Sequence, residues 1–220
     1  MDKTHIRVLS HLKPKNPILV AGLPSMGNVG IMAIRFLVDS LQAEKYAELY
    51  SPVLPDYVTV DDDGLCSLLK YVFFAMDLSE EKSLLMLIGD SQPPAEDSKA
   101  YYEICGEILD FMESLNCSLI VSLDGLPSFH TRRAVYVAGT SRRIISEYVM
   151  MGAEIYAGGR IIGLPGLLLG LAKIRGIEGI CLLSPITDIV SDRDAAFTIY
   201  KFLRKILGLS IADKNMLLGF

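Results

Sequence analysis

The chain has 220 residues, 51% of them hydrophobic, and a formal net charge of −5 at pH 7. That length suits one larger domain whose core takes in most of its apolar side chains. The negative balance, with no stripe of Lys and Arg, excludes electrostatic capture of nucleic acid. The most apolar stretch, Ile161 to Ala172, is interrupted by Pro165 and falls short of the roughly 20 residues that a helix needs to span a bilayer.

The first residues, MDKTHIRVLSHLKPKNP, are polar and contain no apolar core of a signal peptide. ILVAG (Ile18 to Gly22) then reads as a buried strand. Val29 to Leu41 follows as a helix with Val29, Met32, Ala33, Phe36, Leu37 and Leu41 on one face, and Asn28 is its expected N-cap. Tyr46 to Tyr50 is a strand. Tyr57 to Val60 and Leu65 to Phe74 flank the turn DDDG and read as a hairpin.

Ser83 to Gly89 is a second buried strand, after which QPPAED breaks the chain. Tyr101 to Leu115 carries Ile104, Cys105, Ile108, Leu109 and Met112 at helical spacing. Cys117 to Leu123 and Ala134 to Ala138 are strands, and Ser141 to Met151 a helix. Ile161 to Arg175 holds a helix broken by Gly and Pro, Gly179 to Leu183 a strand, and Asp192 to Leu207 the last helix. Strands apolar on both faces, separated by helices, imply an α/β fold with a mostly parallel sheet covered on both sides. The hairpin adds antiparallel strands at one edge. Residues 1–208 are expected to form one domain and 209–220 a tail beyond a helix that ends near Gly208.

The four cysteines, Cys66, Cys105, Cys117 and Cys181, have no CxxC spacing, and three sit in apolar segments. Free thiols in the reducing cytoplasm are the economical reading. A mean hydropathy of +0.38 is high for such a chain and implies an unusually complete core together with apolar surface hidden between subunits, hence a homo-oligomer.

Four segments invite a functional reading. The run G22-L-P-S-M-G-N-V-G30 lies between a strand and a helix, where α/β folds take ligands and helix N-termini attract anions. It is neither GxGxxG nor a P-loop, and a tight turn with close helix packing is the favoured account. Its alternative is an anion site at Gly27, Asn28 and Gly30 with Arg132 and Arg133. Asp61, Asp62 and Asp63 before Gly64 lack the alternate spacing of a calcium loop and read as a solvated turn, so no metal is expected. D124-G-L-P-S-F-H-T-R-R133 groups a carboxylate, His130 and two arginines, the chain's best catalytic constellation, but no nucleophile motif accompanies it and a surface loop is favoured. G158 to G170 is glycine-rich and apolar, and reads as core or as a contact between subunits.

Taken together, GLPSMGNVG (22–30), AEKYAELYSP (43–52), LLMLIGDSQP (84–93), VYVAGTS (135–141) and GLLLGLAKIRGIEGICLLSPI (166–186) resemble the proteasome assembly chaperone 2 family in its archaeal branch. The resemblance runs from about Ile18 to Leu207. It implies an α/β sandwich similar to nucleoside phosphorylases, homo-oligomers, and help in assembling proteasome α subunits. It implies no cofactor and, on balance, no enzyme. Two departures stand out. Relatives end in a hydrophobic-Tyr-any motif that docks between α subunits, whereas this chain ends Leu217-Leu218-Gly219-Phe220, and Asp124-Gly125 stands where relatives have Gly-Gly. The leading expectation is a non-enzymatic, cytoplasmic protein-binding oligomer with Leu217, Leu218 and Phe220 as partner contacts. The alternative is a small-ligand protein or enzyme using a phosphorylase-like pocket.

Overall fold

The computed structural model describes residues 1–127 and 134–209. In chain order, the first half holds β1 (His5–Val8), β2 (Ile18–Gly22), α1 (Val29–Leu41), β3 (Glu44–Tyr50), β4 (Val58–Val60), β5 (Cys66–Leu68), β6 (Tyr71–Ser79) and β7 (Lys82–Gly89). The second half holds α2 (Ser98–Ser114), β8 (Leu119–Pro127), β9 (Tyr136–Gly139), α3 (Arg142–Met150), β10 (Glu154–Ile155), α4 (Leu164–Ile174), β11 (Gly179–Ile186) and α5 (Arg193–Ile206).

Nine strands make one sheet in the order β1-β3-β6-β7-β2-β8-β11-β9-β10. Its centre, β7-β2-β8-β11, is parallel throughout. Every side chain of β2 is buried, and so is every one of β11, the burial that a central parallel strand demands. Alternate residues enter opposite layers. Ile18, Val20, Leu84 and Met86 face α1, α3 and α5, while Leu19, Ala21, Leu85 and Leu87 face α2 and α4. Each such leucine stabilises by about 1.5–3 kcal/mol through burial, so the two layers hold the sheet between them.

The antiparallel part of the sheet is larger than the sequence suggested. β6 and β7 form the antiparallel hairpin of the main sheet, followed outward by β3 and β1. Leu65 to Phe74 is not one strand. The buried Leu69 and the Lys70 N–H, which donates to Asp90 Oδ2 at 3.0 Å, divide it into β5 and β6. β4 and β5 pair only with each other, in a separate two-stranded ribbon. β1 had no apolar signal, because its residues are exposed or half-buried.

Three helices take capping side chains: Asp97 on α2, Ser141 on α3 and Asp192 on α5. Asn28 does not cap α1. A 3-10 turn at Met26–Asn28 delivers the chain into the helix, Asn28 is left-handed at φ 47°, and its Nδ2 donates to the Val190 carbonyl at 3.0 Å. Asn tolerates this region of the map better than most residues. α2 starts at Ser98, a turn earlier than predicted. α4 is unbroken, with Pro165 in its first turn, where a missing N–H costs nothing. The buried Arg204 of α5 joins α1 through Ser40 Oγ at 2.9 Å. Gly208 closes α5 at φ 68° with Leu209 N–H donating to Arg204 O at 2.8 Å.

All four cysteines are free. Cys105 and Cys181 are buried, Cys117 is half-buried and Cys66 is exposed. Among the described residues no helix is long and apolar enough to cross a membrane.

Candidate functional site

In open α/β sheets the carboxyl ends of the parallel strands are where ligands lodge. Here β2, β8 and β11 end beside a cleft of about 690 Å³, within the usual range for small-molecule sites. Ser25, Met26 and Asn28 form the wall after β2. Asp124 to Pro127 form the floor from β8, and Tyr156, Arg160, Ile162 and Gly163 close the far side.

The central polar group is Asp124. β8 runs four residues past its predicted end, so Asp124 is a strand residue only 6% exposed rather than part of a surface loop. Burial pushes its carboxyl up from 3.8 to about 6, with the Ser25 hydroxyl beside it and the Gly125 N–H pulling the other way. The Gly125 N–H donates to Oδ1 at 2.7 Å. Ser25 Oγ is buried beside this carboxyl. The wall above is fixed: Gln92 Nε2 donates to the Pro24 carbonyl, and Tyr101 OH donates to Gln92 Oε1 at 3.1 Å. Among the described lining residues Arg160 is the one cation.

The glycine-rich run reaches this cleft through its turn. Gly27 N–H donates to Ile189 O, in the segment after β11, at 2.8 Å and Asn28 N–H to Ser25 O in its own loop at 3.1 Å, so both backbone donors are engaged by other backbone groups. Gly27 is left-handed at φ 66°. Gly22 and Gly30 touch each other: a Cβ on Gly22 would stand 2.4 Å from the Gly30 oxygen, and one on Gly30 would stand 3.0 Å from the Leu123 oxygen. His130, Arg132 and Arg133 lie outside the described residues, as do Leu217, Leu218 and Phe220. The segment from Gly158 to Gly170 supplies the far wall of the cleft as well as the start of α4. Arg160, Tyr156 and Gln92 had not stood out in the sequence, because nothing local marks residues that converge from two loops far apart in the chain.

The Asp61–Asp63 turn is an exposed hairpin tip, with Asp61 Oδ1 accepting from the N–H groups of Asp63 and Leu65 at 3.1 and 2.9 Å. No group of His, Cys, Asp or Glu among the described residues could hold a metal ion. Among the described lining residues of the cleft there is no histidine to activate the Ser25 hydroxyl as a nucleophile.

A second polar cluster lies on β1 and β3. Glu48, 4% exposed, accepts from Lys70 Nζ at 2.6 Å, Arg7 Nη2 at 3.0 Å and Tyr50 OH at 2.9 Å. Burial alone would raise its carboxyl, but Lys70, Tyr50 and Arg7 together hold it below the ordinary value. Lys70 is held above its own by the same bond. The cluster carries no open coordination or cavity, and it ties the outer strands together.

A family model described as the PAC2 family matches residues 19–217. PbaB of Pyrococcus furiosus, described as an archaeal proteasome activator, is 32% identical with a TM-score of 0.89, over 96% of this chain and 92% of that one. PbaA of the same organism, described as an archaeal homolog of proteasome-assembly chaperone, is 25% identical with a TM-score of 0.80, over 97% and 90%. An uncharacterized protein of Methanocaldococcus jannaschii is 28% identical over 218 residues, 96% of this chain and 82% of its own length.

Proposed function

The chain belongs to the PAC2 family, and on that premise we propose that it is a non-catalytic, self-associating protein that binds proteasome α subunits. The likeness to PbaB over nearly the full length of both chains carries this reading. Such a protein works where proteasomes are, in the reducing cytoplasm, and its four free cysteines suit that compartment.

The C-terminal segment is the proposed contact with the α subunits. Leu217, Leu218 and Phe220 put three large apolar side chains at a chain end behind the polar Asp213, Lys214 and Asn215, and an apolar chain end is normally covered by something. The Gly219 in place of a tyrosine means that the anchor relies on apolar burial, without a phenol to hydrogen-bond. Deleting Asn215 to Phe220 is expected to leave oligomer mass and melting temperature unchanged while abolishing capture of purified α subunits on an affinity resin. An oligomer that falls apart would make the segment a contact between sister chains, and unchanged capture would remove it from the interface.

A small ligand in the cleft is the second reading, favoured by the buried Asp124. It would use that carboxyl as an acceptor, since the backbone donors of Gly27 and Asn28 are already engaged, by Ile189 and Ser25.

A further inference from the structure

The cleft at the ends of β2, β8 and β11 holds a charge that its neighbours do not neutralise. Asp124 is only 6% exposed. Its bonding partners among the described residues are the Gly125 N–H and the Ser25 hydroxyl, and neither carries a charge. Buried carboxylates are rarely left without a cation. Glu48, similarly buried, takes Lys70 and Arg7. Asp124 is ionised above about pH 6 in spite of its burial. A carboxylate has about four acceptor sites, so two donors leave room for more.

The surroundings of that carboxyl are built to hold it in place. Gly125 lets β8 press against the turn after β2, for a Cβ there would stand 2.3 Å from the Met26 oxygen. Gln92 holds the wall through the Pro24 carbonyl, and Tyr101 holds Gln92. The carboxyl thus has a fixed position on the floor, and Met26, Leu126, Ile162 and Leu183 give the cleft an apolar lining. We propose that this cleft binds a small, singly charged organic amine, whose ammonium group pairs with Asp124 and whose apolar body lies against these side chains. The proposal rests on the reading of a small ligand in the cleft and names its chemistry. Capture of α subunits does not depend on it.

The other ligand classes match these groups less well. An anion would meet the carboxylate, and the N–H groups of Gly27 and Asn28 are already engaged by Ile189 and Ser25. A bare metal ion would find Asp124 without the further His, Cys, Asp or Glu ligands it needs among the described residues. An alcohol or amide would bond to Asp124 without offsetting its charge. A polyamine would carry further positive charge towards Arg160 on the far side. One ammonium group offers three donors and one compensating charge. A hydrocarbon or aromatic body beside it suits a mostly apolar pocket with a few placed polar groups.

The test uses the purified full-length protein well above pH 6, with calorimetric titration and thermal melting. Its probes are phenethylamine, the neutral phenylethanol and the anionic phenylpropionate, which share a phenyl ring and a short chain, and adenosine monophosphate for the phosphate chemistry. Phenethylamine is expected to bind, and at tenfold excess over its dissociation constant to raise the melting temperature by about 3–6 °C. The alcohol and the carboxylate should bind at least about tenfold more weakly, the cost of losing a charge-assisted bond. Asp124→Asn keeps an oxygen for the Gly125 N–H and should lose at least about tenfold in affinity for the amine while its circular dichroism is unchanged. Arg160→Ala removes a like charge from the exposed far side and should tighten amine binding. Weaker amine binding by Arg160→Ala, undiminished binding by Asp124→Asn, or an alcohol or carboxylate that binds as tightly as the amine overturns the proposal and leaves a small-ligand cleft standing. Binding of adenosine monophosphate alone does the same. No binding of any probe overturns the proposal and the small-ligand reading together.

Discussion

Gly22→Ala is expected to destabilise the fold by at least about 3 kcal/mol, at the upper end of what overpacking costs. The added Cβ would sit 2.4 Å from the Gly30 oxygen, and 2.7 Å from both the Gly30 carbonyl carbon and Ile34 Cγ1. Two of those three atoms are backbone, which cannot swing aside as a long side chain can. β2 lies in the middle of the sheet, and α1 is pinned above it by Val29, Ala33 and Leu37, so relief requires the helix to lift from its bed. At about 2–4 °C per kcal/mol for a domain of this size, the melting temperature should fall by roughly 6–12 °C. Gly170→Ala is the matched control. Gly170 is an exposed residue of α4 whose added Cβ meets nothing within 4 Å, so alanine should stabilise by up to about 1 kcal/mol. Calorimetry on the pair decides: equal, small shifts would mean that α1 is not packed on β2 as closely as described.

The second large effect is a pH dependence. Asp124 titrates at about 6 in the folded protein against an ordinary 3.8. A folded-state value above the unfolded one means that the native state holds the proton more tightly. Stability is therefore greatest below the unfolded pKa and is lost as pH rises from about 4 to about 6, the full cost applying above that window. Raising the carboxyl from 3.8 to about 6 corresponds to about 3 kcal/mol. Asp124→Asn removes the charge and keeps an oxygen for the Gly125 N–H. Wild type and variant should melt together near pH 4 and diverge through pH 6, with the variant higher by several degrees at pH 7 and above. Melting curves that run parallel across this range, or a variant that is less stable at neutral pH, would show that Asp124 is not carrying a buried charge.

Local pattern made much of the fold legible. The unbroken apolar runs of β2, β7 and β11 announce burial on two faces, and the spacing from Val29 to Leu41 defines α1 to the residue. What failed to show were features decided by distant chain. Asp124 looks like the start of a loop, yet it is a buried residue of β8 paired with Leu183 of β11, a contact that local sequence does not announce. Glu48 reads as an ordinary polar position of a strand, and its partners Arg7 and Lys70 come from elsewhere in the chain. Asn28 has the composition of a cap, but the left-handed Gly27 before it turns its side chain to Val190. The β4–β5 ribbon is the opposite case. Its DDDG turn announced a hairpin, yet Leu65 to Phe74 is so nearly continuously apolar that β5 and β6 read as one strand, and the break rests on the buried Leu69 and the Lys70–Asp90 bond.

The central claim is that this PAC2 protein self-associates and binds proteasome α subunits. Native mass spectrometry of the purified chain, alone and after mixing with purified archaeal proteasome α subunits, tests it most directly. The account predicts a closed multiple of the 24.2 kDa chain by itself and, in the mixture, a further species containing that oligomer together with α subunits at fixed stoichiometry. A monomer in the first sample and two unassociated components in the second would contradict it.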